Sequence, residues 1–94
     1  MLSKIPIKLE DIDASNLDKE ILRAGIMAEY DAINLYEQMA SLAKSNDIKK
    51  VMLDVAKEEK EHVGEFQTLL LRIDKQLEDE MAGGKEEVEE LTKK

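Results

Sequence analysis

A chain of 94 residues is one small domain at most, and helix formers dominate this one. Its 38% charged and 3% aromatic residues suit helices wetted on one side, while 43% hydrophobic residues is too much for a disordered chain. The absence of cysteine excludes disulfides, iron–sulfur ligation and four-cysteine metal sites, and a formal net charge of −8 argues against nucleic acid and for an interest in cations.

Residues 1–14 carry Ile5, Ile7 and Leu9 around Pro6 with no second strand to pair with, and are expected to form an extended N-terminal arm. They lack a continuous apolar signal core, and nothing in the chain approaches the roughly 18 apolar residues of a membrane span, so it reads as an intracellular, soluble protein with no membrane partner. Ser15-Asn16-Leu17-Asp18 has the form of a capping box and opens a first helix that runs to about Ala43, with Gly25 a tolerable cost inside it. "KSND" at 44–47 is a short loop whose Asp47 can cap a second helix, expected to run to about Met81 and to stop at Gly83-Gly84. The two form an antiparallel hairpin over residues 15–82. Residues 83–94 remain as a tail or linker in which Val88 and Leu91, one turn apart, allow a short docking helix.

Each helix carries a heptad stripe. In the first, Leu22, Ile26, Glu29, Ile33, Tyr36, Ala40 and Ala43 alternate spacings of four and three; in the second, Val55, Glu59, His62, Phe66, Leu69 and Ile73 do the same. Beside these run Ala28, Ala32, Leu35, Met39 and Leu42, and Ala56, Val63, Leu70 and Leu77. Faces this wide exceed what one hairpin can cover, which points to self-association.

Glu29, Glu59 and His62 interrupt the stripes. A charge in a helix seam costs several kcal/mol unless it is neutralised, paired or coordinated. Glu59 and His62, three residues apart, share one helical face, and an antiparallel hairpin turning near residue 45 puts Glu29 at their level. Tyr36, seven residues after Glu29, shares that face as a donor beside the ligands. A surface Glu/His pair and a seam polar group that fixes helix register are the bland alternatives. Asp54, Glu58, Glu61 and Glu65, beside Lys57 and Lys60, read as a wet face, and the five methionines as core filler. Dinuclear carboxylate sites in four-helix bundles need a Glu from each of two helices and Glu-x-x-His from each of the other two. This chain has one of each, so two copies about a two-fold axis would supply the set in a four-helix bundle.

With "EYDAINLYEQ" (29–38), "EEKEHV" (58–63) and the short loop between them, the chain resembles the encapsulated ferritins, half-length ferritin-like proteins associated with encapsulin nanocompartments. The likeness covers about residues 20–82. Rubrerythrin-type proteins share the Glu-x-x-His pieces but repeat them within a chain and often add a cysteine-bound iron. The resemblance implies an all-α protein whose two-helix hairpin dimerises into a ferritin-like four-helix bundle. Further implications are a di-iron centre shared between two chains, dimers assembling into a larger ring (a decamer), and ferroxidase activity feeding iron into an encapsulin shell that is fused or separate. It places Glu29, Glu59 and His62 on the family's iron ligands, Tyr36 on its site-neighbouring tyrosine, and the protein in the cytoplasm inside a nanocompartment. Family members often carry acidic residues beside the first ligand as an access route for iron; here Ala28 is apolar and Asp31 is the one candidate. The rival readings are a rubrerythrin-like peroxide-consuming di-iron enzyme and a non-catalytic helical oligomer held by a metal.

Overall fold

The computed structural model describes residues 14–93 and is all-α, with three helices and no strand among the described residues. They are α1 (Ala14–Leu42), α2 (Asn46–Ile73) and α3 (Lys75–Leu91). The expected extended arm lies, except for Ala14, outside the described residues, and Ser15 falls within α1 instead of before it. The turn between α1 and α2 is as short as expected, but Ser45, not Asp47, is its cap: Ile48 N donates to the Ser45 hydroxyl over 3.3 Å, and Asp47 sits in the first turn, where a carboxylate complements the helix dipole.

Pairs across α1 and α2 step back along one helix as they step forward along the other: Glu37 with Lys60, Glu29 with His62, Gly25 with Phe66, Arg23 with Asp74. That is the expected antiparallel hairpin. Its core is thin, made of Ala32, Ile33 and Ala40 from α1 and Ala56, Val63 and Leu70 from α2. The α2 stripe that packs against α1 is therefore Ala56, Val63, Leu70, and not the one expected to form the seam. Small residues there let the two backbones approach, and the bulkier neighbouring stripe turns to one flank of the hairpin. Both stripes have the same period, so periodicity alone could not choose between them.

The two flanks differ in chemistry. One carries the cross-helix ion pairs Lys60–Glu37 (2.8 Å) and Arg23–Asp74 (3.3 Å). The other presents Val51, His62, Leu69 and Ile73 from α2, with Val51 59% and Leu69 48% exposed, and opens into a groove of about 340 Å³ where Ile21 and Leu22 of α1 face Leu69 and Ile73. An apolar flank this open is not what a finished monomer presents to water.

Gly83 and Gly84 do not stop a helix; both lie inside α3. The break comes at Asp74, whose backbone leaves the helical region at φ −131 and ψ 84. Its carboxylate caps the new helix, accepting from Leu77 N at 3.0 Å through Oδ1, while Oδ2 accepts from Arg23 of α1 at 3.3 Å. One side chain thus starts α3 and ties the α2–α3 junction back to α1. Among the described residues α3 packs only on α2, and extents of 47 × 47 × 19 Å place it turned away from the hairpin axis in a flat, angled molecule. No helix of the described residues is long and apolar enough to cross a membrane.

The backbone hydrogen bond from Leu77, helped by Lys19 and Arg23, holds the Asp74 carboxyl below its ordinary pKa. A depressed carboxyl pKa stabilises the fold above the unfolded value of about 3.9, and that stabilisation is lost as pH falls through the folded value. Asp74→Ala is expected to speed amide exchange at Leu77 and across the first turn of α3 several-fold while leaving mid-hairpin amides protected. The wild type should lose the same protection, in the same place, as pH falls below about 4. Hydrogen exchange resolved by residue checks both.

Candidate metal centre

Two helices bring the site together. Glu29 lies midway along α1 on the face turned toward α2; Glu59 and His62 lie one turn apart on α2, bordering the buried Ala56–Val63–Leu70 row on its apolar flank. Each offers one ligand atom, and these atoms all lie within 4.8 Å of one another. His62 Nδ1 is 3.3 Å from Glu59 Oε2 and 3.4 Å from Glu29 Oε2, so the imidazole nitrogen stands between two carboxylates from two helices. Among the described residues this is the one such grouping of three histidine or acidic side chains.

The environment is lopsided. The Glu29 and Glu59 side chains are 17% and 20% exposed, whereas that of His62 is 45% exposed on the apolar flank. Glu59 Oε2 has a hydrogen bond with the imidazole, but Glu29 Oε2 is shielded from solvent and has no aligned hydrogen-bond partner among the described residues. Buried acceptors are almost always satisfied, so an orphaned carboxylate oxygen aimed at two other donor groups fits a cation. The donor set is two hard carboxylates and one imidazole without sulfur, which suits iron, manganese or zinc.

The other two residues singled out in the sequence stand apart from this group. Tyr36 is half-buried two turns further along α1, and among the described residues no hydrogen bond links its hydroxyl to the three. Asp31 projects about 200° around α1 from Glu29, on the side away from α2. Its Oδ2 is also shielded and unpartnered.

A sequence profile of the rubrerythrin family matches residues 20–94. The chain belongs to that family. This rubrerythrin-family chain is similar to a ferritin-like-encapsulin shell fusion protein of Pyrococcus furiosus, 59% identical over 73 residues that make up 78% of this chain and 21% of the relative. It is also similar to the encapsulin nanocompartment cargo protein EncC of Myxococcus xanthus, 34% identical over 87 residues, 93% of this chain and 62% of the relative. The chain thus spans less than two thirds of either curated relative. The crystal structure of the encapsulated ferritin domain from Pyrococcus furiosus superposes with a TM-score of 0.83 at 48% identity, covering 98% of this chain and 94% of that one. The resemblance to encapsulated ferritins is therefore real, the fold is ferritin-like, and the likeness continues past residue 82 through α3.

If the three groups hold one cation together, Glu59→Ala and His62→Ala should each lower Zn²⁺ affinity by at least about tenfold, in line with the cost of disturbing a metal ligand's surroundings. Helical circular dichroism should persist, because both side chains border the packed row and do not build it. Calorimetric titration with Zn²⁺ is the measurement. Unchanged affinity in both variants would remove the site.

Proposed function

We propose that this chain is a ferroxidase, oxidising Fe²⁺ to Fe³⁺ at a di-iron site completed by a second copy across a two-fold axis, for iron storage inside an encapsulin shell. The observation that carries this reading is the Glu29–Glu59–His62 cluster on an apolar flank left open to solvent. It is half of a dinuclear donor set, placed where a second hairpin would bring the other half. The names of the relatives supply the shell, in trans or as a fused domain, and with it a cytoplasmic nanocompartment. A homodimer assembling into a ring, a decamer by resemblance, follows as the way to bury the flank.

Charge explains why the chemistry suits the residues. Two copies contribute Glu29 and Glu59 twice, four carboxylates whose charge matches that of two Fe²⁺ ions when the imidazoles are neutral. Hard oxygen donors then favour the ferric state, since they gain more from a trivalent than from a divalent cation. Each Fe²⁺ gives up one electron; dioxygen takes both, with two protons, and leaves as hydrogen peroxide. Glu29 and Glu59 of the two copies would hold the two cations and offset their mutual repulsion. Tyr36 acts beside the site, on the rate or the fate of oxidising equivalents, whereas Asp31, on the side of α1 away from the cluster, has no place in the access of iron to this hairpin's site.

The family match favours one alternative, a rubrerythrin-like enzyme in which hydrogen peroxide takes the two electrons with two protons and leaves as water. Oxygen consumption against peroxide consumption at equal Fe²⁺ separates the two. Under the ferroxidase reading, Fe²⁺-dependent oxygen uptake is abolished in Glu59→Ala and His62→Ala, and Tyr36→Phe binds iron normally but oxidises it at a changed rate. Loss of metal in Tyr36→Phe would make Tyr36 a ligand.

Assembly provides a second check. Four carboxylates in one pocket repel: at about 4 Å and an effective dielectric near 20, each like-charged pair costs on the order of 4 kcal/mol before relaxation. A divalent cation that binds only the assembled site stabilises the assembly by mass action. Light scattering on chelator-treated protein should therefore show a smaller particle that grows on adding Fe²⁺ or Zn²⁺, and His62→Ala should blunt the growth. A mass that does not respond to metal would mean that the apolar flank alone holds the copies together.

A further inference from the structure

Gly25 sits inside α1, where glycine is destabilising relative to alanine because it orders more backbone and packs nothing. Among the described residues no glycine has positive φ, so backbone conformation does not call for it. Packing does. A Cβ built on Gly25 would meet Phe66 Cδ2 and Cε2 at 3.2 Å each and Cγ at 3.8 Å, whereas one built on Gly64, Gly83 or Gly84 meets nothing within 4 Å. The Cδ2–Cε2 edge of the Phe66 ring therefore lies against bare α1 backbone, and α1 cannot carry even a methyl group there unless the ring or the helix yields.

The location gives this contact a consequence. Gly25 is one turn before Glu29 on α1, and Phe66 is one turn after His62 on α2. The two pairs are adjacent rungs of the antiparallel hairpin, so the contact of the phenyl ring with Gly25 lies one turn from the gap across which His62 Nδ1 reaches Glu29 Oε2 at 3.4 Å. Of the packed row, Ala32 and Val63 near the cluster are small; Ile33, one turn after Glu29, and Leu70, two turns after His62, are larger, but Phe66 is the side chain that meets α1 at a bare glycine. We propose that the Gly25–Phe66 contact is the spacer that sets the distance from Glu29 to the Glu59–His62 pair, and through it the size of cation the cluster accepts. Both are positioning residues, neither being a ligand. The proposal rests on the metal reading of the cluster given above.

The physical warrant is tolerance. Metal–ligand distances in a working site stay within about 0.2 Å of their preferred values. Adding a methyl at Gly25 asks the Phe66 ring to give by a few tenths of an ångström, which uses up that tolerance. A widened site disfavours an ion that prefers ligands at about 2.0–2.2 Å, such as Zn²⁺, more than one that prefers about 2.3–2.6 Å, such as Ca²⁺.

The test compares Zn²⁺ and Ca²⁺ affinities by calorimetry for the full chain in wild type, Gly25→Ala, Phe66→Leu, the double variant and His62→Ala. Neither ion is redox-active under these conditions, so the readout is independent of catalysis. Gly25→Ala is expected to lose about 10- to 100-fold in Zn²⁺ affinity, the range typical of groups that support metal ligands. Its Ca²⁺ affinity should fall less, raising the Ca²⁺-to-Zn²⁺ ratio, and Phe66→Leu added to it should recover most of the loss by making room for the new methyl. Phe66→Leu alone lets the helices close and should move the ratio the other way, which keeps the proposal testable if Gly25→Ala does not fold. An unchanged ratio in the folded single variants, or a loss in Gly25→Ala equal for both ions and not recovered in the double variant, overturns the spacer. Full Zn²⁺ affinity in His62→Ala would instead overturn the metal reading on which the spacer rests.

Discussion

A carboxylate oxygen shielded from water must be answered by something, and among the described residues no hydrogen bond answers Glu29 Oε2. The His62 ring nitrogen is 3.4 Å away but hydrogen-bonds to Glu59, so a single imidazole serves two carboxylates from two helices. Much of the molecule's form can be traced to that shortfall. The hairpin brings the groups to one level, the thin alanine-rich core lets the helices come close enough for them to meet, and His62 stays half exposed on the flank where further donors could arrive. Packing alone would have favoured leucine or isoleucine at Glu29 and Glu59, and replacing buried charges by apolar side chains is often neutral or stabilising. Two glutamates in that position therefore argue for a role outside stability.

What was legible in the sequence was the geometry that periodicity encodes. The spacing of Glu29 to the turn and of the turn to Glu59 and His62 sets the three at one level, because an antiparallel hairpin with a short turn has little freedom to shift them. Which α2 stripe would pack was not legible: Ala56, Val63 and Leu70 and the row through Phe66 and Leu69 have the same period, and the choice depends on how closely two backbones can approach. The α2–α3 junction failed for a related reason. Gly83-Gly84 is a strong local stop signal, yet a helix already running continues through glycines at modest cost, whereas Asp74 interrupts it because its carboxylate has two partners, Leu77 N and the Arg23 guanidinium 51 residues away in sequence. Local propensity contains the first partner and not the second. Gly25 likewise looks like a mere cost in the sequence, because the reason for it is a ring on the other helix.

The open flank and the unfinished cluster occupy the same side of the hairpin, and this matters more than either feature alone. An exposed apolar face by itself is compatible with many partners, and a lone Glu-x-x-His pair is most often a solvated surface pair. Together they narrow the choice, because a partner that covers Val51, Leu69 and Ile73 also passes over His62. A partner that brings neither a cation nor the groups to hold one would bury the imidazole and the two glutamates with nothing to neutralise them. A second copy of the same hairpin related by a two-fold axis meets Glu29 with its own donor groups, and a cation between them resolves the charge on both sides.

Under the proposed assembly, binding and association are therefore one equilibrium seen from two ends. Whatever free energy a metal contributes to joining two hairpins, joining them contributes equally to holding the metal. A separated hairpin offers a cation only three protein groups, one of them shared with a hydrogen bond, and would hold it weakly; the apolar flank supplies the attraction that the three groups lack, and the cation removes the repulsion that the flank cannot. On that proposal neither half is sufficient alone, and the consequence would be economy of control: a site completed only by assembly would confine iron oxidation to the assembled particle and leave free chains without a competent centre.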